Sequence, residues 1–354
     1  MRKLATIQKV LAVKPIEGAD FVERLAVLGW TLVSQKGNFQ PGDLCIYFEV
    51  DSQLPNTEDF DFMLQGLSEE DRTNPDKVKR ALRLRAKKIR KIVSQGLALP
   101  VKDFMHLLPK PFKLGDDVTE VLGVTKYEPP EESFPREVEG PFPFQVPKTD
   151  ETRIQAIPSL LEELRGLECY SSVKMDGQSL TFAKLLDTEG NVAHKVCTRN
   201  QAIKPIEGNV HWKMAAELDI FNKLPTNFAL QGEFVGPGVN GNRLGLNKHQ
   251  FFAFQIWDVT NQRYLDFAEF KAKCQEWNIT TVPIENESFI LNQTVEELLE
   301  LSNGKYQNNF PREGLVIRSV KDAASDTLNL YGADTKNRVS FKVINPEYLV
   351  KIKD

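Results

Sequence analysis

The sequence contains little cysteine, little histidine and no long apolar run, and each shortage excludes a class of protein. The four cysteines are widely spaced and form no Cys-x-x-Cys pair, so we expect neither a disulfide framework nor a zinc site. The four histidines show no His-x-x-x-His spacing. No stretch of roughly 18 or more apolar residues occurs, which predicts no transmembrane helix and no membrane partner.

Two further absences concern targeting and charge. The N-terminal residues MRKLATIQKVLAV lack the long apolar core and the small-residue cleavage site of a signal peptide. Together with the cysteine pattern, this predicts an intracellular protein of the cytoplasm, with the nucleus left open. The formal net charge is -4, so any contact with nucleic acid must come from a local basic patch.

The chain is long enough for two domains. Single hydrophobic cores stop growing at roughly 250 to 300 residues, and the chain has 354. Residues 126–148 are rich in proline and have few periodic apolar positions, which predicts an extended, semi-rigid linker. We therefore predict one domain over residues 1–125 and a second over residues 149–354.

The region before the linker has the pattern of a small β-barrel. Short apolar runs are separated by glycines and by the turn sequence Pro41-Gly42-Asp43. The stretches IEGAD and PGDLCIYFEVDSQLP resemble an OB-fold module, which implies a nucleic-acid-binding domain. The apolar runs are Ile7 to Val13, Leu25 to Leu28, Leu44 to Val50 and Leu97 to Val101.

A dense basic run, KVKRALRLRAKKIRKIV, occupies residues 77–93 of this region. As a strand, it would bury Leu82 and Leu84 and place Arg83, Arg85 and Lys87 on the other face. A helix over residues 76–89 is the structural alternative. The run is either a solvated charged face or a groove that contacts nucleic-acid phosphates, in part near Arg83 and Arg85.

After the linker, helix and strand signals alternate, which predicts an α+β domain with mainly antiparallel sheets and flanking helices. Helices are expected over Ser159 to Arg165 and over Asn209 to Leu224, where apolar residues recur on one face. Two more helices should begin at capping boxes, Asp266 with Glu269 and Thr294 with Glu297.

The stretch CYSSVKMDGQSLTF, residues 169–182, contains a candidate nucleophile. A strand from Tyr170 would end at Lys174, and Gly177 would allow a tight turn back into the sheet. The amine would then lie beside Asp176. Attack at neutral pH requires desolvation or nearby positive charge, such as a metal ion, to lower the pKa of the amine. The alternative is an ordinary surface turn with a solvated lysine.

Five later stretches place polar residues in β-type runs, where burial is costly without a partner: VCTRN, ALQGEFVGPGVNGNRLG, FFAFQIWDV, EGLVIRS and VSFKVI. In this order and spacing, they and the Lys174 stretch resemble the covalent nucleotidyltransferase superfamily of polynucleotide ligases and RNA capping enzymes. The resemblance covers most of residues 149–350. Its matching positions are Lys174 to Gly177, Thr198 to Asn200, Glu233, Phe254, Trp257-Asp258, Glu313-Gly314 and Lys342.

The resemblance implies a covalent mechanism with ATP as the AMP donor. Lys174 would attack the α-phosphate and form lysyl-AMP, the AMP would pass to a 5'-phosphate end, and a 3'-hydroxyl would then displace it. Lys342 and Arg153 would neutralise the α-phosphate. Motif V of ligases has two lysines separated by one residue, whereas position 344 is Ile344. Either Lys342 acts alone, or Lys336 is the principal lysine.

The resemblance also implies the remaining binding residues. Glu233 and Glu313, with Asp176, would hold hydrated Mg²⁺ or Mn²⁺, Phe254 would stack on adenine, and Arg199 and Asn200 would face the ribose, the phosphate or the nicked end. The alternatives are a strand salt bridge for Glu233, a core position for Phe254 and an exposed charge for Arg153. The glycine-rich loop is not a P-loop, because no Gly-Lys-Ser or Gly-Lys-Thr follows it.

The order of the domains indicates which members of the superfamily the chain resembles. An OB-like module before the nucleotidyltransferase domain, together with KTDETRIQ at residues 148–155, resembles the nick-sealing RNA ligases. The implied partner is nicked duplex RNA or an RNA/DNA hybrid, the implied process is RNA repair, and a monomer is expected. The alternatives are a DNA ligase, a GTP-dependent capping-type nucleotidyltransferase, and a non-catalytic nucleic-acid-binding protein.

Overall fold

A computed structural model of the chain describes residues 3–127, 137–331 and 338–352. Residues 128–136 of the predicted linker and Lys336 therefore lie outside the described residues. The chain divides into two compact units: the first comprises Met1–Pro130, Gln155–Pro158 and Leu349–Asp354, and the second comprises Glu131–Ile154 and Ser159–Tyr348. None of the helices in the described ranges has the length and apolar character needed to span a bilayer.

The first unit is built on an antiparallel sheet. Its strands are β1 (Ala5–Pro15), β2 (Val22–Val27), β3 (Trp30–Gln35), β4 (Leu44–Phe48), β5 (Ser52–Gln53), β6 (Lys87–Ile89), β7 (Ile92–Ser94), β8 (Leu97–Pro100) and β9 (Thr125–Lys126). Its helices are α1 (Glu69–Arg72) and α2 (Pro75–Ala81), with 3₁₀ turns at Glu58–Leu64 and Val101–Phe104. The main sheet has the order β3-β2-β1-β4-β8. The four predicted apolar runs are thus confirmed as strands.

The basic run forms neither the predicted strand nor one continuous helix. Helix α2 begins after Asn74, whose side chain accepts hydrogen bonds from two amides of the first turn. After Ala81 the chain becomes extended, because the amide of Leu84 donates to the carbonyl of Ser52. Leu82 and Leu84 are buried, as predicted. The remaining basic residues form the two-stranded hairpin β6-β7.

Arg83 does not face solvent as predicted. Its Nη2 lies 3.1 Å from the Asp51 carboxylate, and its guanidinium lies 3.7 Å from the centre of the Tyr127 ring. Arg85 is half-buried. The exposed basic residues of the run are instead on α2 and on the hairpin, namely Lys77, Lys79 and Arg80 on α2 and Lys87, Lys88, Arg90 and Lys91 on the hairpin.

The second unit contains two larger sheets. Its strands are β10 (Val138–Pro141), β11 (Thr152–Arg153), β12 (Glu168–Lys174), β13 (Gln178–Leu186), β14 (Val192–Cys197), β15 (Gln201–Ile203), β16 (Phe228–Val235), β17 (Gln250–Asp258), β18 (Arg263–Tyr264), β19 (Ile284–Ile290), β20 (Gly314–Ser319) and β21 (Ser340–Ile344). One sheet has the order β10-β15-β14-β13-β16-β17-β18 and is antiparallel. The other has the order β11-β21-β20-β12-β19, in which β11 and β21 are parallel.

Helices flank these sheets, and their starts follow the local sequence. The helices are α3 (Leu160–Glu163), α4 (Val210–Glu217), α5 (Ile220–Lys223), α6 (Phe267–Glu276), α7 (Val295–Ser302), α8 (Asp326–Tyr331) and α9 (Pro346–Lys351), with 3₁₀ turns at Ile154–Ala156 and Asn240–Asn242. Both predicted capping boxes are present. The single helix predicted over residues 209–224 is wrong, because Asp219 has a φ of 51° and separates α4 from α5.

The chain crosses from one sheet to the other between β12 and β13. Lys174 is the last residue of β12, as predicted, and β13 begins at Gln178. Gly177 is required here by close packing rather than by a positive φ. A Cβ at this position would lie 2.4 Å from the carbonyl oxygen of Phe234 on β16. The crossing therefore brings the end of β12 against the strand that carries Glu233.

Candidate active site

Lys174 lies at the edge of a cavity and is paired with Glu313. Its Nζ is 2.9 Å from both carboxylate oxygens of Glu313, and its side chain is 21% exposed. The pairing follows from strand register, because Lys174 on β12 lies opposite Gly314 on β20. Tyr306 joins the two positions: its hydroxyl donates to the Lys174 carbonyl at 2.8 Å and accepts from the Glu313 amide at 3.1 Å.

The charge balance of the site holds the Lys174 amine in its protonated form. Burial alone would lower the pKa of Lys174, but the carboxylates of Glu313 and Glu233 outweigh burial and raise the pKa above its usual value. This is the reverse of the decrease that attack requires. An amine in this state would have to lose its proton before it could act as a nucleophile.

Glu233 and Glu313 place two largely buried carboxyl groups beside Lys174. The pKa of Glu233 is raised to about 7, mainly by burial and also by Glu313, while Lys174 opposes the increase. Burial likewise raises the pKa of Glu313. The amide of Gly177 donates to Glu233 Oε1 at 3.1 Å and fixes the orientation of that carboxylate. A nearby cation would stabilise both ionised carboxylates.

Lys342 projects from β21 into the same cavity. Its Nζ lies 2.9 Å from Asp150 Oδ1, which holds a positive charge at the cavity wall. Arg153 is the register partner of Lys342 on the adjacent parallel strand β11. The Arg153 side chain is buried and is not among the residues that line the cavity. Of the two, Lys342 is therefore better placed to contact a phosphate in the cavity.

The cavity brings together five of the residues predicted from sequence, namely Lys174, Arg199, Glu233, Phe254 and Lys342. Phe254 is buried on β17, yet its ring forms part of the wall. The two interpretations of Phe254, a core position and a base platform, are therefore compatible. Arg199 is exposed at the cavity and contributes positive charge near Glu233.

The side chains of Asp176 and Asn200 make their contacts outside the cavity. Asp176 accepts from Arg243 at 2.9 Å and from Asn240 at 3.1 Å, so its carboxylate anchors the glycine-rich loop. Asn200 accepts from Lys148 Nζ at 3.2 Å and does not line the cavity. Across residues 3–127, 137–331 and 338–352, no three His, Cys, Asp or Glu side chains form a preassembled metal site.

A buried ion pair that the sequence pattern did not predict closes the cavity beside Phe254. Arg318 on β20 contacts Glu151 at 2.7 Å and is almost fully buried. Its guanidinium lies 5.3 Å from the centre of the Phe254 ring, and its Nε and Nη1 atoms have no hydrogen-bond partner among the residues that the structure describes. A signal exists in the sequence, because an arginine in the apolar run EGLVIRS and an acid in KTDETRIQ both need partners if they are buried.

The Arg318→Met substitution is expected to destabilise the protein by about 3–5 kcal/mol, because it leaves the Glu151 carboxylate buried without its cation. Urea unfolding would measure the change in free energy. The matched control is Lys213→Met, since Lys213 and Glu217 form an exposed pair 3.9 Å apart on α4. Lys213→Met should lower the free energy of unfolding by about 0.5 kcal/mol or less. Equal losses for the two variants would contradict a structural role for the buried pair.

Comparisons with known proteins match both halves of the chain. An OB-fold domain model matches residues 4–101, and an RNA ligase family model matches residues 167–344. No curated protein gives a significant match. A point mutant of Naegleria gruberi RNA ligase, solved with ATP and Mn, is 34% identical, covers 100% of both chains and has a TM-score of 0.85.

Two further structures of the Naegleria gruberi protein show the same similarity. A mutant solved with AMP and Mn is 33% identical over 98% of each chain, with a TM-score of 0.84. The RNA ligase solved with PPi is 34% identical and covers 99% of this chain and 98% of that chain, with a TM-score of 0.83. The fold, the matching family models and the similar solved structures define an α+β protein with an N-terminal OB fold, as predicted.

The chain belongs to the RNA ligase family. The predicted family and the predicted class of enzyme are thereby confirmed.

Proposed function

We propose that the chain is an ATP-dependent RNA ligase that seals nicks between a 3'-hydroxyl and a 5'-phosphate in duplex RNA or an RNA/DNA hybrid, as a step of RNA repair. The observation that carries the proposal is one cavity lined by Lys174, Lys342, Arg199, Glu233 and Phe254. It combines an amine nucleophile, positive charge for phosphates and an aromatic surface for a base. The complexes of Naegleria gruberi RNA ligase with ATP, AMP and PPi support the same nucleotide chemistry.

In the first step, Lys174 acts as the nucleophile. Its Nζ forms a bond to the α-phosphorus of ATP, the bond from that phosphorus to the bridging oxygen breaks, and pyrophosphate leaves. The amine must release a proton, and the Glu313 carboxylate at 2.9 Å is the nearest acceptor. The product is a lysyl-AMP phosphoramidate.

In this mechanism, Lys342 and Arg199 neutralise the negative charge of the phosphate that is transferred. Phosphoryl transfer depends mostly on positioning and charge neutralisation. Asp150 keeps the Lys342 ammonium at the wall before the nucleotide binds, and the phosphate then replaces or joins Asp150 as its partner. Arg153 lies beside Lys342 in the sheet and adds positive charge behind it.

Glu233 and Glu313 would hold the divalent cation, Mg²⁺ or Mn²⁺. Carboxylate oxygens are the ligands that such hard cations prefer, and two carboxylates with waters are an ordinary set for Mg²⁺. The raised pKa of Glu233, about 7, fits this role because burial disfavours the ionised carboxylate, and a bound cation would stabilise that form. The bound cation would supply positive charge that favours the neutral form of the Lys174 amine. Asp176 acts indirectly, by holding the glycine-rich loop through Arg243.

The second and third steps join the RNA ends. The AMP passes from Lys174 to the 5'-phosphate at the nick, and the 3'-hydroxyl then attacks that phosphate and releases AMP. Arg199 is exposed and lines the cavity, and Asn200 is exposed next to it in the chain; the nicked end would enter there. In this proposal residues 1–125 bind the duplex and residues 149–354 carry out adenylyl transfer in a monomer. Residues 126–148 connect the two, and from β10 onward they are part of the second unit.

A nick-sealing assay tests the proposal. Purified protein, ATP and Mn²⁺ should join a nicked RNA duplex whose 5'-end carries a phosphate. Joining of a nicked DNA duplex at an equal or greater rate would favour the DNA ligase alternative, and labelling by GTP rather than ATP would favour a capping-type enzyme. Binding of RNA without either reaction would favour the non-catalytic alternative.

The hairpin β6-β7 is the proposed phosphate-binding element of the first unit. Its turn residues Arg90 and Lys91 both have a positive φ, 48° and 71°, a conformation that favours Asn and Gly. Lys87 and Lys88 are exposed on the adjoining strand. Four exposed basic residues on one hairpin, two of them in a strained turn, favour phosphate binding over a solvated face.

Replacing the turn by Arg90→Asn with Lys91→Gly should weaken binding of nicked RNA and lower the salt slope by roughly one for each phosphate that is no longer neutralised. The same change should raise stability by up to about 1 kcal/mol, because Asn and Gly suit the turn. Fluorescence anisotropy at several salt concentrations and urea unfolding measure the two effects. Lys14→Asn with Lys36→Asn removes two exposed charges elsewhere in the unit. If both double variants have the same salt slope, the hairpin has no special role.

A further inference from the structure

A short segment of the second unit runs across the sheet face that carries the candidate active site. The crossing segment, residues 141–150, follows β10 and contains the sequence PFPFQVPKTD. Its Phe142 and Val146 pack in an apolar cluster with Ala183 on β13 and Trp257 on β17. At its C-terminal end, Thr149 and Asp150 line the cavity. The crossing segment therefore covers one part of this face and borders the cavity in another.

Strand periodicity shows that both parts belong to one continuous face. Alternate residues of a strand point to the same side, so Ser179 and Ala183 on β13 share a side. Ser179 lines the cavity and Ala183 lies in the cluster under the crossing segment. Glu233 and Ala229 on β16 repeat the arrangement. The outer surface of the crossing segment is thus a direct continuation of the cavity wall.

Three hydrogen bonds fix the backbone of the crossing segment. The amide of Phe142 donates to the carbonyl of Asn200 at 3.0 Å. The carbonyl of Gln145 accepts from Trp257 Nε1 at 3.0 Å, and the carbonyl of Pro147 accepts from Gln231 Nε2 at 2.9 Å. Pro141, Pro143 and Pro147 further restrict the backbone. The segment is held in place before any substrate binds.

Phe144 stands out from this fixed backbone into solvent. Its side chain is 88% exposed, whereas Val146 two residues later is 3% exposed. It has the highest exposure among the large apolar side chains of the described residues. Phe144 is two residues from Phe142, which is bonded to Asn200, and four from Lys148, which contacts the Asn200 side chain at 3.2 Å. Two residues span at most about 7 Å, so the backbone of Phe144 lies near Asn200, whose neighbour Arg199 lines the cavity.

We propose that Phe144 is a stacking platform for a nucleobase of the RNA strand at the nick. Proteins that bind nucleic-acid strands place aromatic rings beside basic residues, so that the ring receives a base while the charges contact phosphates. Phe144 supplies the ring, and two exposed cations supply positive charge, Lys148 in the same segment and Arg199 at the cavity. Stacking requires no particular base, which suits an enzyme that must accept many RNA sequences. This inference rests on the proposed RNA-joining function of the same site.

The test measures binding, base stacking and lysine adenylation separately. Phe144→Ala should reduce affinity for a nicked RNA duplex by about tenfold, while Phe144→Trp should retain it. With 2-aminopurine placed in turn at the first two positions on each side of the nick, wild-type protein should change the fluorescence at one position, and Phe144→Ala should not. Labelling of the chain by ATP needs no RNA and should be unchanged.

Leu330→Ala provides the matched control, because Leu330 is another large apolar side chain of this unit and is 80% exposed. The stacking proposal is overturned if Phe144→Ala binds nicked RNA as tightly as Leu330→Ala, or if Phe144→Ala also loses ATP labelling. If wild-type protein is labelled by ATP but shows no stacking signal, only this inference fails. If wild-type protein is not labelled at all, the proposed function fails first.

Discussion

The Lys174→Met variant will form no covalent adduct with ATP, whereas the wild-type chain will be labelled by α-labelled ATP in the presence of Mn²⁺. Methionine retains much of the length of lysine but has no amine to attack the α-phosphorus. Sealing of a nick should also fall to background, because in the proposed mechanism the 5'-phosphate receives its AMP from Lys174 and the final step needs that adenylylated end. The measurement is the amount of label on the denatured chain after a fixed incubation.

Folding of this variant must be checked independently. Lys174 offsets part of the negative charge of Glu233 and Glu313, which are both buried, so some loss of stability is expected. Circular dichroism and urea unfolding should still show a folded chain at the assay temperature. The control is Lys213→Met, at an exposed position of α4, and this variant should be labelled as strongly as the wild-type chain. Wild-type labelling of a folded Lys174→Met variant would remove Lys174 from the mechanism.

The Lys342→Met variant should show a rate of adenylation reduced by about 100- to 1000-fold. Removing a preorganised donor that faces developing charge typically costs this much in rate. Lys342 lines the cavity and is held there by Asp150 at 2.9 Å, so its charge is placed before ATP binds. Single-turnover labelling with α-labelled ATP gives the rate, and Lys342→Arg should recover part of it because the charge is retained.

The comparison with Lys336→Met decides between the two candidate lysines of motif V. The position of Lys342 in the cavity predicts that Lys342→Met is much the slower of the two variants. A greater loss in Lys336→Met would show that the sequence match of that motif is displaced. Equal and small losses in both would show that neither lysine stabilises the transferring phosphate.

Short-range signals in the sequence predict several of the strands and helices around the site. The run ending at Lys174 forms β12, and both capping boxes begin helices where expected. These features depend on neighbouring residues, so sequence pattern determines them. The strand predicted from hydrophobic alternation in the basic run is much shorter than expected: after helix α2, whose start Asn74 and Pro75 signal, only an antiparallel bridge between Arg83 and Gln53 forms.

The charge partners within the site depend on the fold rather than on local sequence. Glu151 pairs with Arg318, Asp150 with Lys342, and Asp176 with Arg243. Each pair joins residues far apart in the chain, so only the arrangement of the two sheets brings them together. For the same reason, the contacts of Asp176 with Arg243 and Asn240 in the glycine-rich loop are not predictable from the sequence, and its role in metal binding stays a prediction.

The direction of the Lys174 pKa is a second property that only the fold reveals. Desolvation and a metal ion, the two influences expected from the sequence, both lower the pKa of an amine. The two buried carboxylates nearby outweigh burial and raise it instead. Glu313 faces Lys174 because β12 and β20 are neighbours in the sheet. Activation of the nucleophile therefore depends on removing or balancing that negative charge.

The most direct test of the central claim is to map the nucleotide on the chain. Wild-type protein is incubated with ATP and Mn²⁺, digested under conditions that preserve a phosphoramidate, and analysed by tandem mass spectrometry. The account predicts AMP on the peptide that contains Lys174, with no adduct from GTP. AMP on another lysine, or an intact chain that seals nicked RNA without any adduct, would contradict it.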